Sequence, residues 1–245
     1  MDKNKLVLRK TFDSKAPNQA LTVVMIHGIA SDSSTYQKAL DHFKEVPALG
    51  AIRFVTFDLL GSGKSLKDDK LNYDYDDQLT ALHNSILELD ANTPLVLVGH
   101  SLGTFIVTRY ASVYKNEISQ LILISPPIYT KNDFKHPAFM LGIDAFKKAV
   151  SIKNPHILAE KAFMNSMDKI VLDQENYSYL AKLKLPVTLI YGDEDQLIAS
   201  YNVPGLVKKN SDIVAIKTHG RHGVTRDKYI ELEKLLKKEL DAKDL

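Results

Sequence analysis

One serine, two late histidines and a cluster of carboxylates are spaced along this chain as acyl transfer requires. Gly99, His100, Ser101, Leu102 and Gly103 spell G-x-S-x-G between the apolar run 95–98 and the helical pattern 104–114. At a strand-to-helix junction this pentapeptide makes a sharp, strained turn that lifts the serine hydroxyl above the sheet. Ser101 is therefore preferred as a nucleophile over a helix-capping serine in a glycine-rich turn.

A serine hydroxyl is a poor nucleophile at neutral pH, so it needs a base, and the base needs an orienting acid. For a G-x-S-x-G serine both follow later in the chain, on loops beyond strands, the acid first. The strand-like run 121–127 ends in S-P-P and offers no carboxylate, whereas 187–192 is followed by Asp193, Glu194 and Asp195. Asp193 abuts a glycine and reads as a turn residue. Asp195 lies far enough along the loop to reach a histidine and is the preferred acid. Of the two histidines in T-H-G-R-H-G, His219 sits almost at a strand end, and His222, in a glycine-flanked loop, is the preferred base. A zinc pair of His219 and His222 would lack a suitable third ligand. An oxyanion needs two placed donors, for which the backbone N–H groups of Leu102 and of Ile29, just after Gly28, are the candidates. His27 reads as a loop brace, and His100 as structural.

One motif points elsewhere. Residues 58–65, D-L-L-G-S-G-K-S, end like a phosphate-binding loop, but Asp58 stands where that loop has its first glycine, and no helix follows Ser65. Gly61 and Gly63 then read as turn residues, Lys64 as solvated, and no nucleotide is expected.

The elements that must position these groups follow from the apolar runs 21–28, 52–58, 95–101, 121–127, 187–193 and 212–218. Runs that are almost wholly apolar and rich in β-branched residues suit strands buried on both faces of a parallel sheet. Helical periodicity separates them, as in Leu79, Leu82, Ile86 and Leu89 behind an acidic first turn at 74–77. The expected fold is α/β, a mostly parallel sheet with helices on both sides. The interval 128–182 breaks the rhythm with aromatic and methionine-rich helical pieces. It is far longer than the usual connection of about 2–6 residues, and it reads as an inserted helical cap between core segments 1–127 and 183–245. Phe139, Met140, Phe146, Phe163, Met164 and Met167 within it either pack against the core or line an acyl pocket. Residues 225–240 read as an amphipathic helix with a lysine-rich solvent face.

The whole-chain balance narrows the partners. With 32 basic and 30 acidic residues among 245, there is no electrostatic case for nucleic acid. The absence of cysteine excludes thiol catalysis and cysteine-ligated metals, and no metal or cofactor is expected. No apolar run approaches the roughly 18 residues of a membrane span, and the N-terminus lacks a signal-like apolar segment, so a soluble cytoplasmic protein is expected.

Taken together, His27-Gly28, D-x-x-G-x-G-x-S at 58–65, G-H-S-L-G at 99–103, G-x-x-D at 192–195 and the His222 loop resemble the α/β-hydrolase superfamily, in particular small serine esterases and lipases with a helical cap. The resemblance implies a Ser101–His222–Asp195 triad, and it makes Gly61 and Gly63 part of a recurrent turn. A serine at the elbow separates the chain from dehalogenases and epoxide hydrolases, which carry aspartate there. The short stretch before residue 21 implies a reduced opening pair of strands. The expected activity is hydrolysis of small carboxylic esters of short to medium acyl chain through an acyl-enzyme. A ligand-binding or signalling protein that keeps the fold is the alternative.

Overall fold

The computed structural model describes residues 5–16, 18–153, 159–172 and 175–242. Seven strands form one sheet: β1 (Arg9–Asp13), β2 (Leu21–Ile26), β3 (Ile52–Asp58), β4 (Leu95–His100), β5 (Ile118–Ile124), β6 (Val187–Gly192) and β7 (Ile213–Thr218). Their order is β1-β3-β2-β4-β5-β6-β7. Only β1 pairs antiparallel, against β3, and the other five pairings are parallel. Each of the six apolar runs is thus a strand, and among the described residues a single antiparallel strand precedes β2.

Every residue of β2 and β4 is buried, which is possible only if both faces of the sheet are covered. The side-chain period of two divides β2 between them. Leu21, Val23 and Met25 face a cluster completed by α1 (Gln37–Lys44) and α8 (Arg226–Asp241), while Val24 and Ile26 face one completed by α2 (Tyr75–Leu87) and α3 (Leu102–Val113). Asp74 caps α2 by accepting from the Asp77 N–H at 3.1 Å, and Asp76 and Asp77 occupy its first turn, where carboxylates meet the positive end of the helix dipole.

From β2 the chain passes to β3 on one side and returns to β4 on the other. Connections that leave the carboxyl edges of β2 and β4 in opposite directions open a crevice there. Ile29 follows β2, Ser101 follows β4, Asp195 follows β6 and His222 follows β7, so all the candidate residues stand along one edge of the sheet.

After β3, the loop that resembles a phosphate cradle does hold an anion, and that anion is the protein's own. The Asp58 carboxylate, buried, accepts the N–H groups of Ser33 and Lys64, both at 2.8 Å. Gly63 has φ 47°, and a Cβ there would come within 2.2 Å of that carboxylate. The Lys64 side chain is exposed.

Between β5 and β6 the described residues contain no strand. They form α4 (Pro137–Lys153), α5 (Glu160–Ser166), a π-helical turn (Met167–Val171) and α6 (Asn176–Leu180). The parts of the expected cap at 154–158 and 173–174 lie outside the described residues, as do 1–4, 17 and 243–245 of the expected core segments. After β6, α7 (Val203–Lys209) leads to β7. On α8, Lys234 and Lys238 are exposed on the expected lysine-rich face, whereas Lys228 is fully buried. Lys228 shares the inward stripe of Leu232 and Leu236 at spacings of four.

Replacing Asp58 by alanine strands two backbone donors and is expected to lower urea-unfolding stability by about 2 kcal/mol or more. Millimolar ATP should leave the melting temperature of the unaltered protein unchanged, because the loop's donors are already engaged.

Candidate active site

Ser101 has φ 51° and ψ −116°, a conformation that costs on the order of 1–3 kcal/mol for a residue with a side chain. Its surroundings impose it. The Ser101 N–H donates to Ile124 O at 3.1 Å, and the Thr104 hydroxyl donates to Ser101 O at 2.6 Å. Behind the turn, α3 lies so close to β2 that a Cβ on residue 103 would stand 2.2 Å from Ile26 O. The second glycine of G-x-S-x-G is therefore demanded by helix-on-strand contact, and that contact leaves the serine no relaxed alternative.

The structure brings Ser101, His222 and Asp195 into one hydrogen-bonded line. His222 Nε2 lies 2.8 Å from Ser101 Oγ, and Nδ1 lies 2.9 and 3.0 Å from the two Asp195 oxygens. The Asp195 side chain is fully buried and also accepts the Leu197 N–H at 3.0 Å. Burial pushes its pKa up, but the hydrogen bond and charge of His222, the Leu197 N–H and the charge of Lys228 outweigh it and hold the carboxyl below its ordinary value. An ionised carboxylate can only accept. Nδ1 therefore carries the proton, and Nε2 presents its lone pair to the serine hydroxyl.

The rejected alternatives lie elsewhere. Asp193 accepts the Gly220 N–H at 3.0 Å and faces His219 at 3.3 Å, both side chains turned toward solvent. His219 is thus an exposed partner of a turn carboxylate. His27, fully buried, donates through Nδ1 to Gly28 O at 2.7 Å and accepts the Leu59 N–H on Nε2 at 2.9 Å. These two bonds define a neutral ring that braces the loop after β2, and burial depresses its pKa. His100 donates from Nε2 to the carbonyl of His222 at 2.9 Å. Burial first, and then the charge of His222, lowers its pKa to about 3. Through this bond it props the backbone of the loop that carries His222.

Gly28 is pressed against Ser101, since a Cβ there would lie 2.9 Å from Ser101 Cβ. The N–H groups of Ile29 and Leu102 meet no protein acceptor among the described residues. Leu102 opens α3, whose first N–H groups have no partner within the helix and carry the positive end of its dipole.

A cavity of about 380 Å³ opens on these groups, with Ser101 and His222 in its wall. Tyr129, Phe139, Ile143, Phe146, Met167 and Val171 supply much of its apolar lining, and among the described residues no aspartate, glutamate, lysine or arginine borders it. The methionines and phenylalanines of 128–182 divide between the core, the cavity wall and the surface. Phe139, Phe146 and Met167 border the cavity, Phe163 is buried in the core, Met140 packs against the core, and Met164 is exposed. Among the described residues no group of three histidine, cysteine or carboxylate side chains could hold a metal, and no helix is long and apolar enough to cross a membrane. Lys228, which the sequence reading did not single out, belongs to the surroundings of the site. Its place four residues before Leu232 and eight before Leu236 is the signal in the sequence.

Comparison with known proteins gives a consistent picture. A family model described as "Alpha/beta hydrolase family" matches residues 23–232. The chain is 29% identical over 185 residues to a Synechocystis protein named "Putative non-heme chloroperoxidase", covering 74% of this chain and 59% of that protein. It is 32% identical over 118 residues to the Arabidopsis thaliana protein named "Probable lysophospholipase BODYGUARD 1", covering 48% of this chain and 24% of that protein. The chain thus spans 59% and 24% of the length of these two relatives, less than two thirds of each. Among solved structures, an esterase from Exiguobacterium antarcticum superposes with a TM-score of 0.71 at 15% identity, over 96% of this chain and 94% of that one. At that identity the likeness is one of fold.

Two glycine substitutions separate crowding from space. Gly103→Ala is expected to cost about 4 kcal/mol or more and to leave little soluble folded protein. Gly142→Ala, on α4 with nothing within 4 Å, should raise stability by about 0.5 kcal/mol in thermal unfolding.

Proposed function

Because the chain belongs to the alpha/beta hydrolase family, we propose that it is a serine hydrolase cleaving carboxylic esters of short to medium acyl chain. The observation that carries this reading is the line from Asp195 through His222 to Ser101 Oγ, with Nε2 at 2.8 Å from the hydroxyl, standing in the wall of an uncharged apolar cavity. Lipases among the relatives agree with it, such as "Lipase 1" of Psychrobacter immobilis at 23% identity over 220 residues.

In this mechanism Ser101 Oγ attacks the ester carbonyl carbon while its proton passes to His222 Nε2. Asp195 holds the ring and stabilises the imidazolium. The carbonyl oxygen becomes an oxyanion held by the Ile29 and Leu102 N–H groups. Collapse breaks the bond to the leaving alkoxide, which takes the proton from His222 and departs as the alcohol. Water then attacks the acyl-enzyme with His222 again as base, releasing the acid and restoring Ser101. The helices of the interval 128–182 act as a cap, and the acyl chain lies among Phe139, Phe146 and Met167. A cavity wall without charge disfavours substrates that are ionised next to the scissile bond, because an unpaired charge would be desolvated there.

Purified protein is expected to hydrolyse p-nitrophenyl acetate and butyrate and to be labelled at Ser101 by a fluorophosphonate. Ser101→Ala and His222→Ala should each lower kcat by about 10⁴-fold or more, and Asp195→Asn by about 10³ to 10⁴-fold. Absence of labelling, together with turnover indistinguishable between the unaltered protein and Ser101→Ala, would overturn the reading. Val171→Phe, which fills part of the cavity, should reduce kcat/KM for the octanoate ester about tenfold relative to acetate.

A further inference from the structure

The inward stripe of α8 places an ammonium group where a hydrocarbon would be expected. Lys228 is fully buried, yet its hydrogen bonds go to three neutral oxygens: Ser125 Oγ at 2.7 Å, Gly223 O at 3.0 Å and Arg221 O. An ammonium has three donors, and here each has one acceptor. Asp195 attracts it electrostatically without a hydrogen bond between them. A buried charge with no bonded counter-ion is expensive, so an apolar residue on this stripe would better serve stability alone.

What the charge holds is the backbone on either side of the base. Three consecutive carbonyls of the loop after β7 meet buried donors: Arg221 O and Gly223 O meet Lys228, and His222 O meets His100 Nε2. That loop has glycine at 220 and 223 and no regular structure, so its conformation depends on such contacts. The third acceptor, Ser125, lies at the end of β5 with φ 49°, so the same ammonium ties the loop to the sheet.

We propose that Lys228 is a positioning residue of the site: its ammonium clamps the carbonyls flanking His222 and so sets where the imidazole meets Ser101. This role rests on the serine-hydrolase reading.

The clamp is sensitive to pH. Burial lowers the Lys228 pKa to about 8, even though Asp195 raises it, and a neutral amine retains only two donors for three acceptors. The charged and titratable groups around it are Asp195 from the loop after β6, His100 from the elbow, and His222 and Arg221 from the clamped loop. Asp195, with its low pKa, stays ionised through this range and His100 stays neutral. Farther out, Asp193 pairs with His219, Glu194 with Arg221, and, on α8 itself, Glu231 with Lys234 and Glu233 with Lys237 and His42. A lysine whose folded pKa lies below the ordinary 10.5 opposes folding while it is charged. That opposition is complete below pH 8 and is relieved between about pH 8 and 10.5. Activity should therefore fall where this group's contribution to stability rises, so the alkaline loss is not unfolding.

The test is the pH profile of kcat and KM for p-nitrophenyl butyrate from about pH 6 to 10, with circular dichroism melting at each pH. The unaltered enzyme should lose kcat above about pH 8 with little change in KM. Lys228→Arg, charged throughout, should lack that limb. Lys228→Met should lower kcat at pH 7 by up to about a hundredfold, the cost of a slightly misplaced base, with KM nearly unchanged. An unaltered alkaline limb in Lys228→Arg, or unaltered kcat in a folded Lys228→Met, would overturn the proposal, and if Lys228→Met does not fold, Lys228→Arg decides. Fluorophosphonate labelling of the unaltered protein separates the two readings: without labelling both fall, whereas labelling with an unchanged limb removes the Lys228 role alone.

Discussion

The packing of α3 against the carboxyl end of β2 is the contact on which the rest of the site depends. There is no room for a side chain on residue 103 beside Ile26 O, and the chain entering α3 is consequently forced through a left-handed conformation at Ser101. That strain is stored by the surrounding sheet, whose central strands are buried on both faces. The same crowding brings Gly28 against Ser101 Cβ. It sets the N–H groups of Ile29 and Leu102 on the edge where the cavity opens.

Electrostatics divides four buried or half-buried bases and acids into different tasks. His27 and His100 are kept neutral by burial; His27 spends both ring nitrogens on backbone groups and His100 spends Nε2 on one. Asp195 is kept ionised by its hydrogen bonds despite burial, and its charge both orients His222 and favours the ammonium of Lys228. His222 alone among the histidines at the crevice presents a ring nitrogen to the serine. The loop that carries it is held through its backbone, so the side chain is left available for the hydroxyl.

Much of this was legible in the residues. Strands appeared as apolar runs because burial on both faces demands them. The G-H-S-L-G elbow was legible because only glycine tolerates the approach of α3 to β2. Asp195 and His222 could be ranked above Asp193 and His219 by their distance from strand ends, since a residue at the strand end is caught in the turn while one farther along can cross the crevice. Asp58 could be rejected as part of a phosphate cradle by its charge. That the loop's N–H groups close around that very carboxylate required the fold, because Ser33 lies far away in the chain.

Sequence by itself determined the strand-and-helix alternation, the strained turn at Ser101 and the short list of candidate acids and bases, because these depend on local spacing and on the conformations a residue type permits. Tertiary structure alone decided which phenylalanines and methionines of 128–182 face the cavity, that His100 props the loop of His222, and that Lys228 points inward. Those outcomes depend on which distant backbone oxygens and ring edges come together across the sheet. A lysine reads as solvent-facing until three buried acceptors, from residues 125, 221 and 223, are brought around its nitrogen.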